Sequence, residues 1–217
     1  MSEVPAIITG RNTDLIAACR DLGYIRGPTL DPTYGYGKFW TTWQPEDFTA
    51  SDLDSHKSPT GTSVDATALS HNDHTFQTVV LDPPYKLNGT PTIERGPDER
   101  YGVHAPATIP QRYELMARML TEAQRVTAPG GHVLLKCQAQ VSSGRMWWQP
   151  QYFGRLGVRL GMAHRDELTL ITSGREQPRG RRQLHARHSA ASQLVVFRVR
   201  NTRATLDQID YDPRDIW

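Results

Sequence analysis

Asp82-Pro83-Pro84-Tyr85 sets a carboxylate, two proline carbonyls and an aromatic ring at the end of a short apolar run, Thr78 to Leu81. Proline fixes φ and removes a backbone donor, and each residue before a proline is pushed out of helical conformation. The result is a stiff, extended turn that presents acceptors outward. A rigid acceptor cluster beside an aromatic face suits a flat ligand that carries an amine. A second stretch, Asp31-Pro32-Thr33-Tyr34-Gly35-Tyr36-Gly37, follows another short apolar run. Its glycines let the backbone turn tightly and approach a ligand closely. Asp52 closes the next candidate strand, where it could accept hydrogen bonds from ribose hydroxyls or serve as an N-cap or solvated acid. Asp65 follows a third, where it could accept from an adenine amino group, although an N-cap or a solvated acid is the more expected role.

The elements that must position these residues read as alternating strands and helices. Strands are expected at Thr29-Leu30, Asp47 to Ser51, Ser63-Val64 and Thr78 to Leu81, each running into an aspartate. A helix over Asp14 to Leu22 precedes them. A longer one starts at Thr108-Ile109-Pro110-Gln111, which has capping-box spacing. Its apolar positions Tyr113, Met116, Met119, Leu120 and Ala123 recur at helical spacing, and Pro129-Gly130-Gly131 is expected to stop it. Val133 to Leu135 then reads as a buried strand and Gln151 to Leu160 as a helix. Glu167 to Thr172 and Gln193 to Val199 read as a closing antiparallel pair. The fold class expected is α/β, a mostly parallel Rossmann-like sheet with helices on both faces. In such sheets ligands bind outside the carboxyl ends of the strands, so the four aspartates should share one rim.

Composition bounds the rest. The chain has 217 residues, with 22% charged and 37% hydrophobic. One domain over 1–217 is expected, with residues 86–107 as a substrate loop, 173–190 as a basic loop and 201–217 as an acidic tail. No apolar run approaches a membrane span, and MSEVPAIITGRN lacks the apolar core of a signal peptide. Two cysteines, Cys19 and Cys137, show no metal spacing, which fits free thiols in a cytoplasmic setting. Eight histidines, His71, His74, His185 and His188 among them, come without further ligands at metal-site spacing, so no metal is expected. The net charge is +2, but Arg175, Arg179, Arg181, Arg182 and Arg187 cluster in one segment. Such a cluster is either a solvated loop or the footprint of phosphate binding. Trp147 and Trp148 could stack on bases, but core packing is the expected role.

DPTYGYG followed by DPPY resembles the cofactor and catalytic motifs of the amino-methyltransferases that act on exocyclic amines of nucleobases. Asp31, Gly35 and Gly37 match the cofactor motif. Thr33 stands where the family has phenylalanine, and Tyr34 or Phe39 is the expected replacement for its packing. Asp82 to Tyr85 match the catalytic motif fully, in the form typical of adenine-N6 enzymes. Ala128 to Lys136 and His188 to Arg198 resemble the family's fifth and last strands. The resemblance implies S-adenosylmethionine as cofactor, held by Asp31, Thr33, Gly35, Gly37, Asp52 and Asp65. It implies Asp82, Pro83, Pro84 and Tyr85 as the catalytic group. DNA is the implied partner, with the arginine cluster as its phosphate contact and a second copy or a specificity subunit as further partners left open. Cytosine-N4 methylation, RNA amine methylation and a catalytically silent cofactor-binding module remain as alternatives. No target-recognition domain fits between the two motifs, so recognition falls to the loops, including Arg95, Arg100, Tyr101 and His104.

Overall fold

The computed structural model describes residues 3–87, 108–142, 144–172 and 190–212. Seven strands form one sheet: β1 (Ile7–Thr9), β2 (Thr29–Asp31), β3 (Phe48–Ala50), β4 (Phe76–Leu81), β5 (Thr127–Cys137), β8 (Ala163–Ile171) and β9 (Ala191–Arg198). Their order is β1-β8-β9-β5-β4-β2-β3. The pairs β1–β8, β2–β3, β2–β4 and β4–β5 are parallel, while β9 runs antiparallel to both β5 and β8. A small antiparallel hairpin, β6 (Gln140–Ser142) with β7 (Arg145–Trp147), stands beside this sheet. The helices are α1 (Asn12–Asp21), α2 (Ile109–Val126) and α3 (Gln149–Arg159).

The period-2 alternation of the central strands splits the core into two layers. Val79, Leu81, Val133, Leu135, Val195 and Phe197 face the side covered by α2 and α3. Val80, Leu134, Leu194 and Val196 face the side covered by α1. The Tyr113 ring stacks on Phe153 at 5.3 Å and meets Tyr152 edge-on at 4.8 Å, locking α2 to α3. Trp147 joins this layer, 6.2 Å from Tyr113, whereas Trp148 is exposed.

The α/β class, both long helices and the antiparallel closing pair agree with the sequence reading. Four points differ. The strand expected at Ser63-Val64 is absent: Ser63 makes only an isolated bridge with Asp52. Here short polar side chains cap the backbone locally, with Asp65 accepting from the Thr67 amide and hydroxyl, both at 2.8 Å, which competes with ladder formation. Pro129-Gly130-Gly131 does not stop α2, because the helix ends at Val126 and the glycines lie inside β5. The β-branched Thr127 is already extended there, and its hydroxyl donates to the Ala123 carbonyl at 2.6 Å. Gly131 serves strand packing instead, since a β-carbon there would stand 2.5 Å from the Gln77 carbonyl oxygen. Lastly, no helix separates β2, β3 and β4, and the short β1 and the hairpin were not foreseen.

The expected acidic tail is described to Asp212. Leu206, Ile209 and Tyr211 pack on the α2–α3 layer, and Arg159 donates to the Ile209 and Asp210 carbonyls.

Candidate active site

From β2 the chain moves outward to β3, and from β4 it moves the other way to β5. The carboxyl ends of β2 and β4 therefore flank the point where the winding reverses, the usual place for a ligand crevice in such sheets. Asp31 ends β2 and Asp82 follows β4, so the parallel register brings both motifs to this crevice.

One threonine joins them. The Thr33 hydroxyl donates to Asp31 Oδ1 at 3.1 Å and accepts from the Asp82 backbone amide at 2.8 Å. The residue that departs from the family's phenylalanine thus ties the two motifs directly. Tyr34 packs on Phe48 at 6.4 Å, and Phe39 lies in the α1-side core.

Asp31 is buried, with Trp40 Nε1 donating to Oδ2 at 2.7 Å and the Thr33 amide to Oδ1 at 2.9 Å. Burial lifts its pKa from the ordinary 3.8 to about 7, against the pull of those hydrogen bonds and with help from the Asp82 charge. The folded state therefore holds this proton more tightly than the unfolded chain. The stabilisation is full below about pH 4 and is lost as pH rises through about 7. Asp31→Asn should remove that fall, which thermal melts across this range would show as a flatter profile than the wild type. Parallel profiles would contradict it.

The glycine loop is held from β3. Asp52 Oδ2 accepts from the Gly35 amide at 2.8 Å and Oδ1 from the Asp54 amide at 2.9 Å. Gly35 and Gly37 have φ of +57° and +64°. A β-carbon on Gly37 would stand 2.5 Å from the Tyr34 hydroxyl oxygen, whereas one on Gly35 would meet nothing closer than 3.9 Å. The loop is thus closed on its Tyr34 side and open at Gly35, a backbone surface that a ligand can approach. Asp65 is exposed and lies in its own turn, just after Ser63 and Val64, which bond to Asp52 beyond the end of β3.

Asp82 is met by a lysine. Lys136, near the end of β5, places Nζ 3.3 and 3.4 Å from the two Asp82 carboxylate oxygens and 3.1 Å from Asn12 Oδ1. The same ammonium lies 5.2 Å from the Phe39 ring centroid and 5.6 Å from that of Tyr85. The Lys136 side chain is 7% exposed and that of Asp82 29%. Burial opposes the lysine charge, but the Asp82 carboxylate and the Tyr85 hydroxyl outweigh it and raise its pKa. Lys136 is therefore cationic at neutral pH.

The turn itself is pinned. The Pro83 carbonyl accepts from the Tyr85 amide at 2.7 Å. The Tyr85 carbonyl accepts from Gln140 Nε2 at 2.8 Å and from Gln149 Nε2 at 2.7 Å. Gln140 also receives the Leu87 amide at 3.1 Å. Two side chains from β6 and α3 thus fix the backbone that carries the Tyr85 ring.

The structure brings together Asp31, Thr33, Gly35, Gly37, Asp52, Asp82, Pro83, Pro84 and Tyr85. It adds Lys136, Gln140 and Gln149, which sequence reasoning missed. A lysine ending a buried strand beside one that ends in aspartate was a usable signal for the first; the glutamines left none. Arg175, Arg179, Arg181, Arg182 and Arg187, with most of the 86–107 loop, lie outside the described residues. The flanks of the arginine segment, Ile171 and Ala191, pair at the same rim as Asp82. Among the described residues no group of histidines, cysteines and acids could hold a metal, and no helix is long and apolar enough to cross a membrane. Cys19 and Cys137 are buried free thiols.

No protein-family model matches the chain, and no curated protein sequence matches it. Solved structures do. The MccD protein shares 12% identity over 85% of this chain and 96% of its own, with a TM-score of 0.52. The CurJ carbon methyltransferase shares 10% identity over 88% of this chain and 54% of its own, at 0.50. TTHA0409 of Thermus thermophilus, described as a candidate DNA modification methylase, shares 15% identity over 63% of this chain, at 0.39, too loose a match to carry an inference. The chain spans half the length of TTHA0409 and about half that of CurJ. At these identities the likeness is one of fold, and the fold is that of class I methyltransferases.

Proposed function

We propose that the chain transfers a methyl group from S-adenosylmethionine to the exocyclic amine of a nucleobase, adenine N6 in DNA being the favoured target. The observation that carries this reading is the Asp31–Thr33–Asp82 hydrogen-bond chain, which joins a glycine-loop motif and an amine-binding motif in one crevice. The open backbone at Gly35, held by Asp52, fits S-adenosylmethionine. That group would supply a methyl on a sulfonium, the C–S bond breaking as the N–C bond forms so that the sulfur leaves as a neutral thioether, and the methylated amine would then give up a proton to solvent.

The chain's own residues would do the rest. A base amine is a poor nucleophile because its lone pair is delocalised into the ring. Asp82 and the remaining lone pair of the Pro83 carbonyl accept its two hydrogens, which favours a pyramidal nitrogen with a localised pair. Tyr85 offers its ring for stacking on a base that has left its helix. Lys136 keeps Asp82 in place, and its contacts at 3.3 and 3.4 Å are long enough to leave carboxylate lone pairs for the substrate. Positioning and electrostatics then supply the acceleration. The arginine segment 173–190 is proposed as the contact to nucleic-acid phosphates.

The test is to incubate the protein with labelled S-adenosylmethionine and double-stranded DNA, single-stranded DNA or total RNA. Label should enter DNA. Label confined to RNA would move the substrate to the second nucleic acid. Cofactor binding without transfer to any of the three would sink the enzymatic reading.

A further inference from the structure

We infer that the rim opposite Asp82 carries a second, phosphate-binding site built from Arg26, Arg165 and Arg198. The three come from separate elements. Arg26 follows α1, and its Nη2 donates to the Gly130 carbonyl at 2.8 Å. Arg198 ends β9, opposite His132 in β5. Its own Nη2 lies 4.0 Å from where a Gly130 β-carbon would stand. Two guanidiniums thus flank one residue that has no side chain to cover the space between them. Arg165 stands at the irregular register of β8 between His164 and Asp166, close to Ala163, which pairs with Arg198.

All three arginines are exposed, and among the described residues none pairs with a carboxylate. Asp166 is the acid of this corner, and its oxygens are already engaged by the Tyr24 hydroxyl at 2.6 Å and the Glu167 amide at 2.8 Å. Beneath the arginines lies His132, 7% exposed, with Nδ1 buried and unpartnered and its ring edge-on to Tyr24 at 5.4 Å. Burial, and then the charges of Arg26, Arg198 and Arg165, push its pKa down to about 4. The imidazole is therefore neutral and adds no charge of its own. Three cations beside a single carboxylate, Asp166, with which none forms an ion pair, keep a net positive charge, and a phosphate relieves their repulsion while accepting from guanidinium forks. Lys136 lies four steps along β5 from His132, about 13 Å at strand rise, so this site is distinct from the crevice.

Backbone amide shifts of Gly130, His132 and Arg198 provide the test, read on the whole chain with inorganic phosphate and, separately, with a short DNA duplex. Saturable shifts with inorganic phosphate assign a free phosphate, and with the duplex alone a backbone phosphodiester; either supports the site. The Arg165→Gln/Arg198→Gln double variant should weaken binding about tenfold or more with an unchanged melting temperature. Absence of saturable shifts with both probes, or shifts undiminished in the double variant, would overturn the proposal.

Discussion

Asp82→Ala should abolish methyl transfer while S-adenosylmethionine still binds. The carboxylate lies on the β4 side of the crevice, and the glycine loop that would hold the cofactor is fixed separately by Asp52. Losing an acceptor aimed at the reacting amine costs about a hundredfold or more in rate. The substitution also leaves Lys136, nearly buried, without its carboxylate, so a melting curve must accompany the assay. Asp82→Asn, which also loses the charge but keeps the shape and one acceptor oxygen facing Lys136, should fall between the wild type and the alanine variant. Calorimetry with the cofactor and single-turnover transfer check the pair, and activity retained in the alanine variant would refute the role given to Asp82.

Lys136→Met should have the second-largest effect. The ammonium touches both carboxylate oxygens of Asp82, Asn12 Oδ1 and two aromatic faces. It therefore aims the carboxylate and steadies the Tyr85 ring together. Methionine keeps most of the volume but removes the charge, so kcat should fall about tenfold or more while KM for S-adenosylmethionine stays within about twofold. Stability should fall by about 1–3 kcal/mol, because Asp82 loses its partner in a partly dry setting. A raised KM for the cofactor with unchanged kcat would place Lys136 in the wrong half of the site.

The two motifs were legible because each couples backbone chemistry to a strand end. Prolines and glycines announce their turns in any context, and an aspartate closing an apolar run marks a rim. The Thr108 capping box and the apolar repeat of α2 were legible for the same local reason. What escaped reading depended on pairing across the chain. The role of Thr33 exists only because β2 and β4 lie side by side, so that its hydroxyl reaches an amide 49 positions away. Lys136 needs β5 next to β4, and Gln140 and Gln149 need the hairpin and α3 to converge on Tyr85. The strand expected before Asp65 failed for the opposite reason. Asp65 turns the chain locally by accepting from Thr67, so the pairing begun by Ser63 and Val64 with Asp52 stops at a single bridge.

An amine held between Asp82 and Pro83, with Tyr85 on the ring face, is the arrangement that the adenine-N6 reading requires. The most direct measurement is the identity of the labelled nucleoside after duplex DNA is incubated with labelled S-adenosylmethionine and digested to completion. The account predicts N6-methyl-2′-deoxyadenosine as the labelled product, absent with Asp82→Ala. Label in a methylated cytosine, or the same product from the alanine variant, would contradict it.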